Sequence, residues 1–153
     1  MLMDLPFLEQ SKKVNMNNIR LYNLCIIFNC DDEILVQKRL RGMHGYSFPG
    51  GKVNINESIE ESVVREVYEE TGLILEKPDY ISMVSFYDEK SKERRQIFLF
   101  KATKYHGELL LKSDEGIHFW CSFSDFMKLN LVDGMEEFIQ AYKGSKFEWH
   151  YNC

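Results

Sequence analysis

The sequence predicts a mixed α/β (α+β) domain. Short runs of aromatic and β-branched residues recur from Arg20 to Tyr151. Two or three segments with helical signals fall among them, and glycine-rich or charged stretches separate the two kinds. The 153 residues, 44% of them hydrophobic, are enough for one domain with its own core. Residues 1–18 become polar toward Asn15, Met16, Asn17 and Asn18 and read as a loosely attached arm, which leaves 19–153 as a single domain.

The elements follow in order. Arg20 to Asn29 reads as a strand, Cys30 to Glu33 as a turn and Ile34 to Lys38 as a second strand, so the pair suggests a hairpin. Gly42, Gly45, Pro49, Gly50 and Gly51 mark a loop. A helix starts at Ser58, where Ser58 and Glu61 match the S-x-x-E capping box, and Gly72 stands where a left-handed C-cap is expected. Val63, Val64 and Val67 share one arc of that helix and should face the core. Tyr80 to Tyr87 and Gln96 to Thr103 form two more strands around a charged turn, and Ile117 to Phe123 another. Ser124 to Lys128 suggests a short helix, Gly134 to Tyr142 a clearer one ended by Gly144, and Phe147 to Tyr151 a closing strand.

The segment Gly51 to Leu73, GKVNINESIEESVVREVYEETGL, carries the chemistry. On a helix Glu66, Glu69 and Glu70 are spaced i, i+3 and i+4 and project from one face. Carboxylates so close repel one another, and a hard cation such as Mg²⁺ removes that repulsion by taking their oxygens as ligands. Glu57, just ahead of the helix, can reach the same site. Arg65 can pair with Glu61 or Glu69 one turn away and hold a carboxylate in its working orientation. Gly50 and Gly51 allow a tight bend with no side chain to block a carbonyl from a metal or an amide from a phosphate. An isolated E-x-x-E-E would be read as a solvated helix face. Phe48 to Lys52 (FPGGK), Glu57 and Gly72 around it turn the reading toward a metal site that works on phosphates.

These positions match the Nudix box, G-x5-E-x7-R-E-U-x-E-E-x-G-U with U aliphatic, at Gly51, Glu57, Arg65, Glu66, Val67, Glu69, Glu70, Gly72 and Leu73. The chain is therefore identified as resembling the Nudix hydrolases, and the resemblance implies a mixed sheet sandwiched between helices. It also implies metal ligation, by Mg²⁺ or Mn²⁺, from the Gly50 carbonyl and from Glu66, Glu69 and Glu70. The base toward water is then Glu66 or a glutamate from a later loop, for which Glu115 in SDEGIHFW is the candidate; otherwise Glu115 is a turn carboxylate. VQKR (Val36 to Arg39) followed by YSFPGGK resembles the strand and loop ahead of the box in MutT-type members. Arg39 is then a phosphate contact or a surface arginine at a strand end, and Gly51, Lys52, Tyr46 and Phe48 complete the expected substrate-binding set. Tyr46, Phe48, Phe86, Phe119 and Trp120 either form a stacking wall for a base or belong to the core.

The box leaves the substrate open. The proline that marks many ADP-ribose hydrolases and the tyrosine that marks dinucleoside polyphosphate hydrolases are absent past the box, where Tyr87, Asp88, Lys90 and Ser91 stand. Arg39 and Arg41 match the coenzyme A pattern only in part. What remains resembles the MutT-like, 8-oxo-dGTP diphosphatase-type members, implying hydrolysis of a nucleoside triphosphate to monophosphate and pyrophosphate. The alternatives are a Nudix hydrolase of nucleotide sugars or dinucleotides, and a non-catalytic nucleotide sensor; sensors usually lose a carboxylate, and none is missing here.

The formal charge of −5 argues against binding polymeric nucleic acid but not against a nucleotide, whose phosphates bridging cations can neutralise. Cys25, Cys30, Cys121 and Cys153 have no paired or zinc-like spacing and read as reduced thiols. His44, His106, His118 and His150 lack metal-like spacing and receive no role. Lys92, Arg94 and Arg95 read as a solvated basic turn. No apolar run approaches the ~18 residues of a membrane span. No leader is evident, so a cytoplasmic protein, monomer or homodimer, is the expectation.

Overall fold

The structure is a computed structural model and describes residues 18–144 together with the backbone of 148–152; the expected arm over 1–18 lies almost wholly outside the described residues. A four-stranded mixed sheet has the order β1-β6-β5-β9, from β1 (Ile19–Ile27), β5 (Asp79–Asp88), β6 (Glu93–Ala102) and β9 (Glu148–Asn152). β1 pairs parallel with β6, β5 antiparallel with β6, and β9 parallel with β5. A second sheet has the order β3-β2-β8, from β2 (Ile34–Arg39), β3 (Tyr46–Ser47) and β8 (Gly116–Cys121). A small pair joins β4 (Leu73–Leu75) to β7 (Tyr105–Gly107). The helices are α1 (Ile59–Thr71), α2 (Phe123–Phe126) and α3 (Met135–Gly144).

Strand alternation splits the core into two layers. Cys25, Ile27 and Phe100 join Val63 and Val67 of α1 on one face. Ile26, Val84, Phe86 and Leu99 join Phe138 and Ile139 of α3 on the other. Successive residues of a strand point to opposite faces, so this one period places the sheet between α1 and α3. Val63 and Val67 are fully buried and Val64 half-buried, as their shared arc requires.

The expected hairpin of the first two strands forms no further than its turn. Among the described residues the two meet there, by the antiparallel bridge Phe28–Ile34 and the bond from Asn29 N to Glu33 O, and then join different sheets. The edge of β1 that β2 would have used is taken by the glycine loop: Cys25 N donates to Pro49 O, Asn23 N to Gly51 O and Val53 N to Leu21 O. Those bonds fix the loop beside α1. Arg94 and Arg95 also lie within β6 rather than in a turn; Arg95 pairs with Glu93 and Asp88, and Arg94 donates to Ser85 Oγ.

Candidate active site

Helix α1 supplies the acidic face, and its ends are set by local chemistry. Ser58 Oγ accepts from Glu61 N at 3.0 Å while Glu61 Oε2 accepts from Ser58 N at 2.7 Å, the reciprocal capping box. Gly72 ends the helix at φ 78°, and its N–H donates to Tyr68 O. Of the two partners expected for Arg65, Glu61 is held by the cap and Glu69 accepts at 3.1 Å. Arg65 also donates to both oxygens of Glu57 at 2.6 and 2.8 Å, to Glu66 at 2.7 Å and to the Lys52 carbonyl at 2.9 Å.

The glycine loop meets this face directly. Pro49 O and Gly51 O turn toward β1, which leaves the N–H and carbonyl of Gly50 on the opposite side, where the N–H donates to Glu70 Oε2 at 3.1 Å. Gly50 has φ 151°, and a Cβ there would run into the Asn23 backbone. A Cβ on Gly51 would run into the Glu66 carboxylate. Asn23 ties the loop to the helix: Oδ1 accepts from Gly51 N at 3.3 Å and Nδ2 donates to Ser62 Oγ at 2.8 Å.

The electrostatics differ from one glutamate to the next. Glu70 is 6% exposed, and burial lifts its pKa to about 8, against the pull of the Gly50 N–H; the charges of Glu66 and Glu115 add to the rise and Arg39 opposes it. Burial also raises Glu66, with Arg65 opposing. Glu57 is lowered to about 2 by its hydrogen bonds from Arg65. Four segments thus share one charged neighbourhood: the glycine loop, α1, Arg39 at the end of β2, and Glu115 in the turn before β8.

Some expected residues fall elsewhere. Both Glu57 oxygens face Arg65, and one also accepts from Asn54 N, so its carboxylate holds the arginine. Phe48 is 1% exposed and packs on Phe126 at 4.9 Å between ring centroids. Phe86 is buried against Phe138. Phe119 belongs to the α3 layer and Trp120 to the α1 layer, so the five aromatics form no common wall. Tyr46 is half-buried against Phe119. The side chain of Lys52 is exposed.

The donor set suits a hard divalent cation. Glu66, Glu69 and Glu70 each keep one oxygen without a hydrogen bond among the described residues, and so does the Gly50 carbonyl. Among those residues, no group of three His, Cys, Asp or Glu side chains is drawn close enough to enclose an ion. Arg65 occupies the facing oxygens of Glu66 and Glu69, and the mutual charge of the carboxylates opposes closer approach.

Fold and site define a hydrolase domain organised around one glutamate-rich helix. The NUDIX domain family matches residues 20–142, and the chain belongs to the Nudix hydrolases. It is 31% identical over 113 residues to the uncharacterised Nudix hydrolase YvcI of Bacillus subtilis, covering 72% of this chain and 70% of that protein. It is 32% identical over 93 residues to the oxidized purine nucleoside triphosphate hydrolase of Mus musculus, covering 60% of each. A match of 38% over 71 residues reaches an ADP-ribose pyrophosphatase of Methanocaldococcus jannaschii, covering 45% of this chain and 40% of that one. Among solved structures, the MutT protein of Bacillus halodurans superposes with a TM-score of 0.71 at 30% identity, covering 87% of this chain and 90% of that chain.

Proposed function

We propose that this Nudix hydrolase converts a purine nucleoside triphosphate, oxidised guanine forms included, to the monophosphate and pyrophosphate with Mg²⁺ or Mn²⁺. The observation that carries the reading is the Gly50–Gly51 loop set against Glu66 and Glu70 of α1, with the charges of Arg39 and Glu115 acting on Glu70. With a divalent cation on its carboxylates and the Arg39 guanidinium beside them, such a group would hold a phosphate chain and present a carboxylate to water. The similarity to the mouse oxidized purine nucleoside triphosphate hydrolase supports the substrate class.

Each residue then has a task. A bound divalent cation would neutralise phosphate charge and make a water a better nucleophile; the Gly50 carbonyl and Glu66, Glu69 and Glu70 would hold it. Arg65 orients Glu66 and Glu69, and Glu57 holds Arg65. Glu66 or Glu115 accepts the proton of the attacking water. Arg39 offers a planar fork to phosphate oxygens. With Phe48 and Phe86 in the core, Tyr46 is the expected aromatic that keeps part of its ring accessible beside the loop.

The similarity to an ADP-ribose pyrophosphatase favours a second reading, hydrolysis of a nucleotide sugar or dinucleotide. A panel of purine triphosphates, oxidised guanine triphosphates, ADP-ribose and diadenosine tetraphosphate, assayed with Mg²⁺, separates the two. The triphosphates should have the higher kcat/KM and release pyrophosphate. A preference for ADP-ribose would replace the first reading by the second, and no turnover of any of them would point to a sensor.

A further inference from the structure

His118 is a buried titratable group that the mechanism above leaves unused. It lies on β8, 2% exposed, in register with Gln37 of β2. Its Nδ1 is 2.8 Å from the Leu110 carbonyl, and its Nε2 is 3.3 Å from Gln37 Oε1. A carbonyl only accepts, so Nδ1 must carry a proton. Burial disfavours the charged ring. In the neutral ring Nε2 is then an acceptor, and it faces an amide oxygen that is also an acceptor. Meanwhile Gln37 Nε2 is buried without a partner among the described residues. Turning the Gln37 amide by half a revolution resolves both faults, because its NH₂ then donates to His118 Nε2. Ser47 Oγ, also buried without a partner among the described residues, belongs to the residue opposite Gln37 on β3. One water between them would let its hydroxyl reach the relocated amide oxygen.

This relay ends at the turn that carries Glu115. Leu110 N donates to Thr71 O at the end of α1, and His118 N donates to Leu111 O. Lys112 bridges Ile117, and Ser113 N donates to Gly116 O, so 110–118 folds back on itself with Glu115 at the tip. Gly116 lies against the stem of Gln37, where a Cβ would be 2.6 Å from Gln37 Cγ. Side chain and backbone of His118 therefore grip the same arm of the turn, and Gln37 locks the ring.

We propose that His118, as the neutral Nδ1–H tautomer held by Gln37, is a positioning residue that fixes the 110–116 turn against α1 and so sets where Glu115 stands in the charged neighbourhood of Glu70. The inference rests on the reading of Glu115 as base or ligand. In ¹⁵N-histidine NMR near neutral pH, Nδ1 should appear protonated and Nε2 bare; an Nε2–H ring or an imidazolium overturns the relay without reference to activity. Hydrogen exchange over 110–116 should quicken in His118→Phe while α1 keeps its protection. With whichever nucleotide the protein turns over, His118→Phe should lose about 10- to 100-fold in kcat, the usual range for a supporting partner, with KM little changed. His118→Asn, whose amide N–H replaces the Nδ1 donor, should recover most of the loss, which a general packing defect would not. Adding Glu115→Gln to His118→Phe should cost little more. Unchanged exchange and kcat in folded His118→Phe overturn the role of His118. A fully active Glu115→Gln instead removes the Glu115 reading, and the positioning role falls with it.

Discussion

Arg65 donates to three glutamates at once, and this leaves their protons under different control. Glu57 gains the arginine as a close partner and titrates at about 2. Glu70 has no cation within bonding distance among the described residues and titrates at about 8. The two shifts give opposite slopes of stability with pH. In the unfolded chain both groups titrate near 4.5. Above that value the ionised Glu57 stabilises the fold, and its contribution is lost as pH falls toward 2. Glu70 keeps its proton in the folded protein up to about 8, whereas the unfolded chain releases it, so stability declines as pH rises between 4.5 and 8. In EDTA the Tm should therefore fall across that upper window, by an amount worth on the order of a few kcal/mol. Mg²⁺, which binds the ionised carboxylate, should flatten the decline, and Glu70→Gln should reduce it in EDTA to the part that the raised Glu66 contributes. Calorimetry across the window checks this; a level wild-type Tm in EDTA would contradict the buried, protonated state of Glu70.

Helix α1 shows which features of an element its sequence can reveal. Its start and end were legible because capping uses only neighbours: Ser58 and Glu61 at one end, Gly72 at the other. The partners of Arg65 were only partly legible. Glu69 follows from helical spacing, but Glu57 precedes the cap, and its approach depends on how the chain enters the helix. Strands β3, β4 and β7 went unread because two or three residues carry no periodic signal and form only against distant partners. Two substitutions separate the stability of this element from its activity. Ser58→Ala removes the cap acceptor and should cost about 1 kcal/mol of stability with kcat nearly unchanged, as measured by denaturant titration and steady-state kinetics. Gly51→Ala places a methyl on the Glu66 carboxylate and should do the reverse. We expect a folded protein with kcat reduced roughly 100-fold, since small displacements of a working group carry costs of that size. A Gly51→Ala protein with full activity would show that Glu66 can move aside without consequence.

At the scale of the molecule, the sheet between two helices follows from strand alternation, but the pairing order does not. The hairpin expected from adjacency stops at its turn because the glycine loop claims the edge of β1, a contact between residues 21–25 and 49–53 that no local pattern announces. The aromatic residues left wall and core both open for a related reason: the composition of Phe48 and Phe86 suits either, and only the packed layers show that their faces are already covered. The same arrangement constrains where a triphosphate can break. The acidic line of α1 and the Gly50 carbonyl lie on one side of the loop, and the charges of Arg39 and Glu115 act on Glu70. With the base on the aromatic side and the metal nearest the α and β phosphates, as the proposed function has it, those phosphates rather than the γ meet the carboxylates. Cleavage there should yield nucleoside monophosphate and pyrophosphate, with a requirement for Mg²⁺ or Mn²⁺ and a preference for alkaline pH, where a glutamate base and a metal-bound water are both deprotonated. Reaction in ¹⁸O-water followed by chromatography and mass spectrometry identifies both the products and the phosphorus attacked. Nucleoside diphosphate and inorganic phosphate as first products would mean that the γ phosphate occupies the carboxylate line and that this placement of the substrate is wrong.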